Sequence, residues 1–289
     1  MPMDAQVMTN EKAERVRRIA ELHDRKRRRK AGRFLIEGPQ AVREALTWMS
    51  DVVRDLYVTV DGEEPDAAFR NAAAGQLAGL AMGEGIYVHK ATEKVMAHMS
   101  QDAQGVLAVG DLAACREALQ TVPETPKPFL AAFWQVRDPG NAGAVIRCAD
   151  AAGCDAVVLV GDCVDLFSPK VIRATTGSLF HLPVLAMDEE GFLSYCADHD
   201  VTLVAADVYG LEGKAPESLP DLVRDGDGLD GSMAVLFGNE ARGLEPGMLE
   251  RADLVSSIPI YGKAESLNLA TSAAVMLMTL AMSSRNETM

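Results

Sequence analysis

Apolar and polar positions along the chain follow two periods, one helical and one extended, and the switches between them mark the elements. Residues 1–10 carry neither period and predict a disordered start, while residues 11–30 read as a helix with a basic face. Phe34-Leu35-Ile36 predicts a short strand. Glu37-Gly38-Pro39 then turns into a helix whose apolar stripe is Ala41, Val42, Ala45 and Leu46. Residues 52–60 predict a strand, residues 67–80 an alanine-rich helix interrupted by glycines, and residues 86–88 and 106–109 two more strands. This alternation predicts a small α/β domain over residues 34–120 behind a basic arm, residues 1–33.

Residues 121–128 hold three prolines and no apolar period, which predicts a stiff linker to a second domain, residues 129–289. There the pattern repeats strand and helix: strands at 129–136, 156–160, 182–185 and 201–206, helices at 144–152, 170–176 and 191–199. The run Ala156-Val157-Val158-Leu159-Val160 is apolar throughout, as a parallel strand buried on both faces should be. Residues 221–231 predict a surface loop. After it come a strand at 234–237, a strand at 254–259 and a long apolar helix from 269 to about 282. The expected fold is therefore α/β, with a parallel sheet covered on both faces in the second domain.

Composition narrows the picture. Apolar residues make up 48% and charged residues 24% of the chain, as in an ordinary globular protein. Residues 1–30 contain no apolar core, so no secretory signal is expected. The apolar run 267–282 is shorter than the roughly 20 residues of a membrane span, and a buried helix is expected in its place. Five cysteines without a C-x-x-C pair argue against disulfides and zinc and for a reducing cytoplasm, with no metal expected. Cys148, beside Arg147, is weighed as a nucleophile against the commoner buried thiol.

The net charge of −14 argues against a nucleic-acid partner until its distribution is considered. Residues 11–33 carry eleven Lys and Arg against four acids, a local excess of seven positive charges. Such a block reads either as a solvated helix or as an arm that meets phosphates, with Arg25, Lys26, Arg27, Arg28, Arg29 and Lys30 as its densest part. Gly226-Asp227-Gly228-Leu229-Asp230-Gly231 satisfies G-x-G-x-x-G literally. A dinucleotide fingerprint follows a strand and opens a helix, so this one reads as a solvated loop.

Three polar clusters stand at predicted strand ends of the second domain: Asn141 with Arg147, Gly238-Asn239-Glu240 with Arg242, and Ser266 with Asn268. In an open parallel sheet those ends are where ligands bind. Each cluster also has a structural reading. Asn141 caps the following helix, Arg147 is a surface arginine, Glu240 pairs with Arg242, and Ser266 with Asn268 caps the last helix.

The stretches Asp138-Pro139-Gly140-Asn141-Ala142-Gly143-Ala144-Val145-Ile146-Arg147, Leu236-Phe237-Gly238-Asn239-Glu240-Ala241-Arg242-Gly243-Leu244, and Ile258-Pro259-Ile260 with Glu265-Ser266-Leu267-Asn268-Leu269-Ala270 together resemble, in order, the three motifs of the SpoU (TrmH-type) RNA 2′-O-ribose methyltransferases of the SPOUT superfamily. Residues 161–183, with Asp165, Ser168-Pro169-Lys170 and Arg173, are similar to the family between its first and second motifs, and the first domain resembles the L30e-like substrate-binding domain of many members. The resemblance implies a C-terminal parallel-sheet domain with a trefoil knot and S-adenosylmethionine as methyl donor. It also implies a homodimer through the final helix. Carried over by motif, Gly238, Ile258 and Leu267 are expected to hold the cofactor through backbone groups. Arg147, Asn141, Glu240, Ser266 and Asn268 are the expected catalytic positions, with Arg147 clamping a phosphate, Glu240 and Ser266 orienting it, and Asn141 and Asn268 supporting the turns. The expected reaction is 2′-O-methylation of RNA, with rRNA favoured over tRNA. A non-catalytic RNA-binding or ribosome-assembly protein and an enzyme methylating a small molecule stand as the alternatives.

Overall fold

The computed structural model describes residues 3–120, 125–225 and 231–284. Residues 121–124 of the expected linker and residues 226–230 of the literal glycine motif lie outside that set. By proximity the chain divides into two compact units, Met1–Ala118 with Asp165–His181, and Leu119–Val164 with Leu182–Met289.

In chain order the first part forms β1 (Met3–Met8), α1 (Glu14–Ala20), α2 (Arg25–Ala31), β2 (Arg33–Glu37), α3 (Pro39–Trp48), β3 (Val53–Asp61), β4 (Ala68–Phe69), α4 (Ala72–Gly83), β5 (Tyr87–Ala91), α5 (Glu93–Met99), β6 (Val106–Asp111) and α6 (Leu112–Leu119). The sheet order is β1-β5-β3-β6-β2, with β4 on β3. β1 and β3 run parallel to β5, and β6 runs antiparallel to both β3 and β2. The stripe Ala41, Val42, Ala45 and Leu46 is the buried face of α3, as its spacing predicts.

Two expectations change here. Residues 3–8 are a strand, because β1 finds its partner about 80 residues away: Asp4 accepts from the Tyr87 hydroxyl at 2.8 Å and sits 2.5 Å from His89 Nδ1. The basic helix is two helices. Asp24 caps α2 by accepting the Arg27 amide at 2.9 Å, which restarts the chain in a new direction, and Gly32 ends α2 at φ 64°, in the left-handed region that favours glycine.

The rest of the chain forms β7 (Phe129–Trp134), α7 (Pro139–Ala151), β8 (Ala156–Val160), α8 (Pro169–Thr175), β9 (Val184–Met187), α9 (Glu189–Asp198), β10 (Val201–Ala206), β11 (Glu217–Ser218), α10 (Leu219–Asp225), β12 (Ser232–Phe237), α11 (Pro246–Arg251), β13 (Leu254–Ser257) and α12 (Leu269–Ser284). The second unit is built on a seven-stranded sheet, β11-β13-β10-β12-β7-β8-β9, parallel throughout. All of β8, and β7 and β12 beyond their first residues, are buried, which is why these strands read as unbroken apolar runs. Residues 221–225, expected as loop, are helical as the end of α10, because Leu219 and Leu222 share one buried face of that helix.

The segment Asp165–His181, which the sequence reading keeps within one stretch 129–289, groups with the first unit. Its charges explain the placement. Arg28 Nη2 meets Asp165 at 2.7 Å, the buried Glu37 pairs with Arg173, and Arg173 also reaches Asp102 at 3.0 Å. Phe167 packs edge-on to Phe34, ring centroids 5.1 Å apart.

Candidate active site

The carboxyl ends of β13, β10, β12 and β7 are neighbours in the sheet, so the turns that follow them gather at one edge. The turn after β7 opens at Gln135, a non-glycine residue at φ 50°. Its carbonyl accepts from Asn239 Nδ2 at 2.7 Å, which ties the β7 turn to the β12 turn. Asn239 and Gly243 exchange both backbone hydrogen bonds, at 3.0 and 2.9 Å. Gly238 is squeezed beneath them: a Cβ there would lie 2.3 Å from the Gly243 carbonyl carbon, so no side chain fits.

Glu240 turns away from Arg242. Its Oε1 accepts from Asn141 Nδ2 at 3.2 Å and from the Asp138 amide at 3.4 Å, at the N-terminus of α7, where a carboxylate is favoured. Asn141 is not the cap of α7. Asp138 is, accepting the Asn141 amide at 2.8 Å, and this leaves the Asn141 side chain to bridge. Its Oδ1 accepts from Asn268 Nδ2 at 3.1 Å, and Asn268 Oδ1 takes the Ala270 amide at 2.9 Å at the start of α12. Glu240, Asn141 and Asn268 thus form one chain of hydrogen bonds across three turns.

The turns after β12 and β13 and the start of α12 line an open pocket of about 510 Å³, with Gly238, Glu240, Ile258, Ser266, Leu267 and Asn268 in its wall. Six of the eight expected catalytic and cofactor positions therefore meet there, and Asn141 is bonded to two of them. Arg147 does not line the pocket. It lies on α7, exposed, and its guanidinium makes no hydrogen bond or ion pair among the described residues. Glu240 therefore holds the α7 turn rather than Arg147.

The pocket has a wall that motif reading did not find, the turn after β10 with Asp207, Val208 and Tyr209. Asp207 Oδ1 accepts the amides of Tyr209 and Gly210, both at 2.8 Å, and this turn projects Tyr209 with 77% of its surface exposed. The same rule that found the other turns points to it, since Asp207 directly follows a buried parallel strand. Ser256, fully buried in the wall, has a side-chain oxygen without a hydrogen-bond partner. Cys148 is a thiol held for packing: burial pushes its pKa up, against the opposing pull of Arg147, and its Sγ lies 3.6 Å from the Ala270 carbonyl.

Among the described residues no group of three or more His, Cys, Asp and Glu is placed to hold a metal ion, and no helix is long and apolar enough to cross a membrane. The basic group of α2 divides. Arg28 leaves the set expected to meet RNA, because its guanidinium is buried and spent on the carbonyls of Leu22 and His23, both at 2.8 Å, and on Asp165. Arg25, Lys26, Arg27, Arg29 and Lys30 are exposed.

Residues 128–278 match the SpoU rRNA Methylase family, and residues 13–108 match the MRM3-like substrate binding domain. The chain is 31% identical over 271 residues to the 23S rRNA (guanosine(2553)-2′-O)-methyltransferase RlmP of Bacillus subtilis, covering 92% of this chain and 95% of the relative. It is 28% identical to the 23S rRNA (uridine(2479)-2′-O)-methyltransferase of Streptomyces viridochromogenes, over 89% of this chain and 85% of that one. Among solved structures it is similar to the AdoMet-bound rRNA methyltransferase of Sinorhizobium meliloti, with a TM-score of 0.76, 27% identity and all of both chains covered.

Proposed function

The chain belongs to the SpoU rRNA methylase family, and from that premise we propose that it methylates a ribose of 23S rRNA through the pocket of its second unit. It is an S-adenosylmethionine-dependent RNA 2′-O-ribose methyltransferase. The observation that carries the site assignment is that two sequence motifs line one pocket at the ends of adjacent parallel strands, and the first motif is hydrogen-bonded to both through Asn141.

The residues present fit the cofactor. The pocket volume lies within the usual range for small-molecule sites, roughly 300–1,000 Å³. Ile258, Ile260, Leu267 and Met276 offer apolar wall to a nucleoside, and the carboxylates of Asp207 and Glu240 suit a ligand that carries positive charge. The unpartnered Ser256 hydroxyl is a further polar group in that wall. Gly238, Ile258 and Leu267 would hold the cofactor through their backbones. When bound, S-adenosylmethionine supplies a methyl group already activated by a positive sulfur.

The remaining task is to align a weakly acidic ribose hydroxyl and stabilise its developing negative charge. Arg147 takes that role. Arginine stays protonated, so it acts as a clamp on the neighbouring phosphate and on the forming alkoxide rather than as a simple base. The Glu240–Asn141–Asn268 chain fixes the turns around the reacting hydroxyl, and Ser266 at the rim is a further polar contact. The exposed cations of α2 contribute phosphate contacts. α12, which exposes Val275 and Met282, forms the face of a cytoplasmic homodimer, and the trefoil knot is part of the same reading.

The test is transfer of labelled methyl to unmodified 23S, 16S and tRNA transcripts in parallel. Label confined to 23S rRNA, at one position that resists alkaline cleavage, is expected. Label on a base, or on tRNA alone, would overturn the proposal.

A further inference from the structure

Trp48 ends α3 with 64% of its surface exposed, whereas the other tryptophan of the chain, Trp134, is buried in the second unit. The side of α3 away from the core carries Gln40, Arg43, Glu44, Thr47 and Trp48, and Trp48, four residues after Glu44, is its neighbour on the helix. Along this side runs a fixed chain. Arg43 Nη1 donates to Gln40 at 3.1 Å, Gln40 Nε2 donates to Glu44 at 2.7 Å, and Glu44 Oε2 lies 3.1 Å from His181 Nε2. The His181 ring in turn stands edge-on to the indole of Trp48, centroids 5.6 Å apart at 61°.

His181 reaches that position by a close approach of the chain. Gly177 lies against Glu44 so closely that a Cβ would sit 2.3 Å from Glu44 Cγ, and its φ of 108° also favours glycine. The indole is thus braced by a second ring, with an exposed guanidinium on the same helix. An exposed aromatic face suits an unstacked nucleobase, because every base has a π-face, and a cation elsewhere on the same helix suits a phosphate of the same strand. The unit also carries the match to a substrate-binding domain, residues 13–108, which includes Trp48 and Arg43.

We propose that Trp48, braced by His181, is a stacking platform for an unpaired nucleobase of the RNA substrate, with Arg43, five residues earlier on α3, on a phosphate of the same strand. The inference rests on the RNA-methylating function above. It adds that the substrate presents an unstacked nucleotide in a loop, bulge or single strand.

Tryptophan emission of the full chain tests it directly. The Trp48 signal is isolated in a Trp134→Phe variant or, where that variant fails to fold, as the difference between wild type and Trp48→Leu. A 23S rRNA hairpin with an open loop is expected to quench Trp48 and shield it from acrylamide, and a blunt duplex of equal length is expected to do neither. Trp48→Leu should weaken hairpin binding by about 5- to 150-fold, the range for losing one stacked base. Trp48→Phe should keep most of the affinity, and both variants should bind S-adenosylmethionine as wild type does. Unchanged emission and affinity in a protein that still methylates RNA would overturn the platform alone. A shift of Trp48→Leu from dimer to monomer would assign the surface to a second copy of the chain and overturn it too. Failure of the wild type to bind any rRNA fragment would overturn the platform and the proposed function together.

Discussion

The two units use their polar side chains differently. In the second, Asn141, Glu240, Ser266 and Asn268 stay at least partly accessible at a pocket, the first, second and fourth joined by hydrogen bonds of 3.1 and 3.2 Å, and Arg147 has no described hydrogen-bond or ion-pair partner. In the first, Glu37 and Arg28 are buried and each is paired with opposite charge and held by further hydrogen bonds, although Arg28 Nε itself has no partner. Buried charges must be paired to be tolerated, while charges kept for a substrate must be left accessible. The difference teaches that local charge density does not measure readiness to bind: Arg28 and Arg29 are sequence neighbours, and only Arg29 faces solvent.

Four substitutions probe that contrast. Arg28→Ala strands Asp165 and two carbonyls, and chemical denaturation should show a loss of about 3–5 kcal/mol, as for other broken buried pairs. A loss under about 1 kcal/mol would put Arg28 with the exposed cations. Gly238→Ala forces a methyl into the Gly243 backbone. It should cost about 1–3 kcal/mol and weaken S-adenosylmethionine binding in a calorimetric titration, whereas an unchanged affinity would separate the tight turn from the cofactor site.

Asp111 gives the contrast a pH signature. The Ala114 amide, with the Arg54 and Arg33 guanidiniums, holds its carboxyl at about 2 against burial, from an ordinary 3.8. A depressed carboxylate stabilises the fold fully above its unfolded pKa, and that contribution disappears as pH falls through its folded pKa. Asp111→Ala should therefore cost about 1–2 kcal/mol at neutral pH, as loss of a helix-capping acid does. The deficit should shrink between about pH 4 and pH 2, and a deficit constant over that window would remove the charge from the explanation. The smallest effect belongs to Arg29→Ala. Stability should stay within about 0.5 kcal/mol, while the salt dependence of RNA binding should fall by about one unit of slope. An unchanged slope would show that α2 does not meet phosphate.

Much of this was legible in the chain because it depends on local order. The stripe of α3 has helical spacing, the central strands of the second unit are unbroken apolar runs, and the motif turns sit directly after strands. What was not legible depends on contacts distant in sequence. β1 needs β5 to exist as a strand, and nothing in residues 3–8 names that partner. Arg28 reads like its neighbours until Asp165, 137 residues away, is brought to it. Asp207 stands at a legible strand end, but its place and that of Tyr209 in this pocket depend on β10 lying between β12 and β13, an order that no local pattern encodes. Glu240 and Arg242, close in sequence, do not pair, because the bridging Asn141 side chain offers Glu240 a partner from the next turn.

The central claim is that the pocket holds the cofactor while Arg147, outside its wall, acts on the ribose hydroxyl. The most direct measurement compares wild type and Arg147→Ala in two readouts, the Kd for S-adenosylmethionine and the rate of methyl transfer to 23S rRNA. The account predicts a Kd within about twofold and a rate lower by about 100- to 1,000-fold, the usual loss on removing a group that stabilises developing charge. A near-normal rate, or a Kd that rises in step with the loss of rate, would contradict it.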